Sequence, residues 1–124
     1  MKFARYVAVA AGLFLVVFGA WAFFGPKSFF DQIATFQPYN EHLIHDIGAF
    51  QIGLGATLLL ALAWKGALAS ALAGVGIGSA FHAIAHWTDK DLGGRDSDPY
   101  GLTIVAVLIL AAAAMAHHES RPTD

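Results

Sequence analysis

Four histidines stand in two groups whose residue types and spacing could do chemistry: Glu41-His42-Leu43-Ile44-His45-Asp46 and His82-Ala83-Ile84-Ala85-His86. On a helix, residues three and four apart are neighbours. His82 and His86 therefore stack on one face, and His42, His45, Asp46 and Ala49 form a second stripe. Imidazole with carboxylate and no sulfur suits Zn, Fe, Mn or Cu(II). His45, His82 and His86 would supply a facial set of three. Asp46 and His42 are further candidate ligands, and Glu41 either ligates or holds a histidine tautomer from outside the first ring of donors. Two other readings stay open. One is a haem b held axially by His45 and His86. The other is a structural network in which Asp46 and His86 hydrogen-bond to tie two helices together.

What positions these residues follows from composition. Of 124 residues 57% are hydrophobic and only 13% charged, and the mean hydropathy is +0.60. A soluble domain of this size needs about a quarter of its residues charged to cover its surface. The chain has the composition of a membrane protein. Its net charge of -2 offers no basic footprint for nucleic acid. The absence of cysteine excludes disulfides and thiolate chemistry. With only Met1 and Met115, a thioether site for Cu(I) is excluded too.

Runs 6–26, 47–64, 66–88 and 99–118 contain no Asp, Glu, Lys or Arg, and about 20 apolar residues cross the hydrocarbon as a helix. The expected fold is all-α and integral to the membrane: an antiparallel four-helix bundle forming a single domain. Its spans cover about 6–25, 41–64, 66–88 and 100–118. A short interfacial segment at 26–40 and an outer loop at 89–99 complete it. Tyr6, Trp21, Tyr39, Trp64, Trp87 and Tyr100 all fall near these boundaries, at the headgroup level that amphipathic rings favour. The first run also has features of a signal peptide, with Lys2 and Arg5 ahead of an apolar stretch and Ala20-Trp21-Ala22 as a cleavage site. Trp21 and the following Phe23-Phe24 favour a retained helix. With the N-terminus inside, inner ends carry Lys2, Arg5, Lys65 and Arg121 against Lys27, Lys90 and Arg95 outside, which places both termini in the cytoplasm.

In the segment 26–40, Ser28 reads as a helix cap. Phe29, Phe30, Ile33 and Phe36 form an apolar face suited to lying flat on the outer leaflet. The loop 89–99 holds Gly93-Gly94 and four aspartates but lacks the spacing of a calcium loop, and reads as a solvated turn. Trp64-Lys65-Gly66 is a tight turn joining the second and third spans into a hairpin. His45 and His86 are each 20 positions from it, and equal rise per residue puts them at one depth. His82 then lies one turn deeper, facing Gly48 and Ala49. Gly74, Gly76 and Gly78, with Gly48, Gly53 and Gly55, read as small residues for close helix packing. His117 and His118 follow the last span, in solvent.

The four-span layout, the Phe-Phe-Gly-Pro-Lys-Ser-Phe-Phe segment at 23–30 and His42-x-x-His45-Asp46-Ile47-Gly48-Ala49 resemble the DoxX-like and related small bacterial membrane proteins. The resemblance implies a small bacterial inner-membrane protein, with an accessory subunit among its expected roles, and some of its relatives are linked to quinone or oxidant metabolism. It implies nothing about His82 and His86. The sequence thus supports a membrane protein with a His/Asp transition-metal site doing redox or hydrolytic work on a lipid-soluble substrate or quinone. It equally admits a non-enzymatic accessory subunit that pairs with a partner membrane protein or a second copy, so enzymatic activity stays open. Membrane lipids surround it in either case.

Overall fold

The computed structural model describes residues 1–120. Among them there are helices and no strands: α1 (Lys2–Phe24), α2 (Pro26–Gln32), α3 (Glu41–Ala61), α4 (Leu68–Thr88), a 3-10 turn at Lys90–Leu92 and α5 (Asp98–Glu119). Helices α1, α3, α4 and α5 are each long and apolar enough to cross a membrane. They overrun the uncharged stretches at several ends. Lys and Arg are good helix formers, so a charge can end a lipid span without ending the helix.

Local signals account for the boundaries. The Asn40 side chain accepts a hydrogen bond from the Leu43 N–H at 3.1 Å, capping α3 as its residue type favours. Proline at the start of α2 and of α5 gives up an N–H that no helix partner would have satisfied there. The link at 62–67 turns at Gly66, whose φ of +80° is a left-handed conformation that glycine adopts without strain.

Which helices pack together departs from the expected hairpin. Helix α1 lies along α3, and α4 along α5, while α3 and α4 touch only lightly despite the short link between them. The glycines explain the choice. A Cβ added to Gly48 would stand 2.7 Å from the Gly19 carbonyl, and one on Gly55 would stand 2.6 Å from that of Gly12. The backbones of α1 and α3 are therefore in contact at two levels, an approach that only small residues permit. Gly76 plays the same part toward Leu110 on α5, at 2.7 Å. Gly53, Gly74 and Gly78 have nothing within 4 Å and do not serve packing inside this chain.

The cores are correspondingly fine-grained. Ala4, Ala8, Leu58, Leu72, Ile109 and Ala112 are buried together where the four long helices meet. A second cluster joins Ala22, Phe29, Phe30 and Ile44. The outer surface is strongly apolar, with Phe50 74% exposed, Phe81 69% and Val17 61%, far beyond the patch sizes of soluble monomers.

The segment 26–40 differs from its expectation in two respects. Only Pro26–Gln32 is helical, and Phe29 and Phe30 are buried against the ends of α1 and α3. Phe29 and Phe30 close over the bundle because a ready apolar surface of the same chain lies beneath them. Ser28 is inside α2 and does not cap it; its hydroxyl donates to the Gly25 carbonyl at 3.0 Å and accepts from the Trp21 indole N–H at 2.8 Å.

The two ends of the bundle are defined by contacts. At one, the Met1 amine pairs with Glu119, and Arg5 Nη1 donates to the Leu62 carbonyl at 3.4 Å. At the other, the ring of Phe36 meets His86 and Arg95 Nη2 donates to the Gln32 carbonyl at 2.5 Å. Met1, the 62–67 link and Glu119 thus share one end. Arg121, counted above toward the inner side, lies outside the described residues. His117 and His118 occupy the last turn of α5 instead of following it.

Candidate functional site

The histidines fall into separate groups, not one cluster. On α4 the rings of His82 and His86 stack, with centroids 4.9 Å apart and planes 8° from parallel, as the i, i+4 spacing requires. On α3, His42 Nε2 lies 3.6 Å from Asp46 Oδ2, an ion pair when the imidazole is protonated. The two side chains are 86% and 52% exposed, so that pair is solvated and weak. His45 packs its ring on Phe23 at 5.3 Å between centroids. Among the described residues no hydrogen bond or ring contact joins His45 or Asp46 to His82 or His86, and no three His, Asp or Glu side chains gather closely enough to hold a metal ion.

The expected convergence fails for a physical reason. It required α3 and α4 to face each other along their length, whereas the glycine face of α3 is spent on α1. Gly48, expected opposite His82, lies against Gly19 and Phe23. Equal distance from the turn sets equal height but not a common face. The facial set of His45, His82 and His86 is not assembled among the described residues, and Asp46 faces His42 on its own helix.

Around His82 and His86 the structure builds a recess that the sequence reading missed. Phe36, His82, Ala85, His86 and Asp89 line a cavity of about 270 Å³. Phe36 comes from the irregular stretch after α2, and its ring meets His86 edge-on at 5.4 Å. The loop after α4 holds it there. Phe36 forms a lone antiparallel bridge with Gly93, and the Arg95 contact to Gln32 fastens the same two segments. Gly93 and Gly94 have φ of +145° and +81°, and a Cβ on either would meet Phe36 or its neighbour Thr35 at 2.7–2.9 Å. The Gly93-Gly94 pair was the available signal. It marks a place where another backbone must approach, not only a turn.

The rest of the loop 89–99 is structured by its own acids. Asp98 Oδ2 accepts from the Arg95 N–H at 2.9 Å, and no calcium-type grouping of aspartates forms among the described residues. Lys90 Nζ sits 4.3 Å from the Trp87 ring centroid, and the Trp87 indole N–H donates to Thr103 Oγ1 at 3.0 Å. Near the start of α3, Tyr39 donates to Glu41 Oε2 at 3.5 Å. Desolvation and then the Glu41 charge push its phenol above the ordinary range, so it stays neutral.

Chemically, the recess offers two imidazoles in parallel planes, a phenyl edge, a methyl group and a carboxylate. Imidazole binds a metal through an in-plane lone pair, and an ion lying in one of two parallel planes is outside the other. As stacked, the pair suits hydrogen bonding to a ligand more than chelation. His82 is also exposed on the outer face of α4 beside exposed Phe81 and Ile84. No protein-family model matches the chain, and no similar curated protein or solved structure was found.

Proposed function

We propose that the chain is a multi-pass protein of a bacterial cytoplasmic membrane, an antiparallel four-helix bundle with Met1 and Glu119 on the cytoplasmic side, whose His82–His86 recess binds the polar head of a lipid-soluble, quinone-type ligand. The single observation that carries the ligand reading is the stacked imidazole pair on a recess at the apolar outer surface of α4. Each neutral imidazole has one N–H to donate to a carbonyl oxygen. The Phe36 edge and Ala85 contact a planar ring, and Asp89 is an acceptor for the hydroxyl of its reduced form. The direction of the helices is supported by Gly12 lying against Gly55 and Gly19 against Gly48. The basic residues at the Met1 end favour the cytoplasmic side. The DoxX-like resemblance points to the same class of ligand.

A transition metal is the second reading: both imidazoles and Asp89 border one recess, although the three do not gather around a common point as they stand. It requires a ring rotation that breaks the stack. Titrating purified Trp21→Phe, Trp64→Phe protein in detergent with a short-chain ubiquinone analogue, read by the fluorescence of Trp87, tests the first reading. Elemental analysis of the same preparation tests the second. Saturable binding lost on substitution of His82 or His86 supports the proposal; no saturable quenching, or a stoichiometric metal that those substitutions remove, overturns it.

A further inference from the structure

The opposite end of the bundle holds a second cavity. About 220 Å³ in volume, it lies between the start of α1, the 62–67 link and the end of α5, and its lining includes Arg5, Leu62, Trp64, Lys65, Met1 and Ser120. Among the described residues its charge is one-sided: Glu119 is already paired with the Met1 amine, Arg5 has only the long contact to the Leu62 carbonyl at 3.4 Å, and Lys65 has no carboxylate partner. The other end carries Asp31, Glu41, Asp46, Asp89, Asp91, Asp96 and Asp98. Gly66, with φ of +80°, turns the link so that Trp64 and Lys65 both border the cavity. Trp64 is 62% exposed, and an exposed indole at a helix end favours the headgroup level of a bilayer.

From this arrangement we infer that the cavity is a headgroup site for an anionic phospholipid. Arg5 and Lys65 take the phosphate, and Trp64 lies against the glycerol and upper acyl region. Arginine offers several donors to a phosphate and lysine a point charge. Basic pockets between helices at the cytoplasmic boundary are the recurrent way membrane proteins hold anionic headgroups. The inference rests on the membrane reading above but not on the histidine recess.

Native mass spectrometry of the full chain in mild detergent, with phosphatidylglycerol or phosphatidylcholine added, tests it. Phosphatidylglycerol should be retained preferentially, and Arg5→Gln and Lys65→Gln should each weaken retention about fivefold. A second measurement needs no change at the site. In a Trp21→Phe, Trp87→Phe chain, brominated phosphatidylglycerol should quench Trp64 more strongly than brominated phosphatidylcholine. Equal retention and equal quenching of the two lipids would overturn the inference, as would millimolar inorganic phosphate binding alone and displacing the lipid, which would mark a free-phosphate site. Release of the protein from membranes by alkaline carbonate would instead defeat the membrane reading itself, and the inference with it.

Discussion

The imidazoles of His82 and His86 lie face to face on the outer side of α4, with centroids 4.9 Å apart, while His45, at the same distance from the turn, packs on Phe23 of α1. Of the three histidines expected to converge, two are brought together. They are joined by Phe36 and Asp89, which come from the segments on either side of the recess.

If those imidazoles hold a ligand by one hydrogen bond each, His82→Ala or His86→Ala should weaken quinone binding about two- to tenfold, the effect of one hydrogen bond. His45→Ala should leave it unchanged, since His45 contacts neither ring. The measurement is the fluorescence titration in detergent, and an equal loss in the His45 variant would speak against the recess as the site.

The α1–α3 crossing predicts a contrast between two glycines of one helix. Gly48→Ala places a methyl group 2.7 Å from the Gly19 carbonyl and should lower stability by about 1–3 kcal/mol. Gly53→Ala meets nothing within 4 Å and should gain up to about 1 kcal/mol from helix propensity. Thermal unfolding midpoints in the same detergent should move in opposite directions.

The recess also depends on the loop that holds Phe36. Gly93→Ala forces a residue with a side chain into φ +145° and puts its Cβ 2.7 Å from the Thr35 carbonyl, at a cost of about 1–3 kcal/mol. Limited proteolysis should then cut faster within 89–97, and Arg95→Ala, which releases the Gln32 carbonyl, should show the same change in weaker form. Unchanged cleavage in both variants would mean that the two segments are not held by these contacts.

Gln51 Oε1 is buried at this crossing without a hydrogen-bond partner, and its Cβ stands 2.9 Å from where a Cβ on Gly19 would lie. Gln51→Met keeps the length of the side chain and removes the unsatisfied acceptor. Since such a group costs about 1–3 kcal/mol, the variant should melt at a higher temperature than the parent. A lower midpoint would indicate that Gln51 finds a partner in the membrane.

The four long helices were legible in the sequence because the cost of charge in lipid is strong and local: wherever Asp, Glu, Lys and Arg are absent for about 20 residues, only a helix serves. The one-face pairing of His82 with His86 was legible for a similar reason, since it depends on neighbours within a turn. Tertiary structure alone decided which helices pair. The link at 62–67 holds the ends of α3 and α4 near each other but leaves their faces free. The close fit of Gly12 and Gly19 to Gly55 and Gly48 then commits α3 to α1. That choice turned His45 away from α4, and the seating of Phe36 on Gly93 gave His86 its neighbour instead. A helix face can be read from spacing; its partner depends on which surfaces fit together, a property of two segments that neither one carries alone.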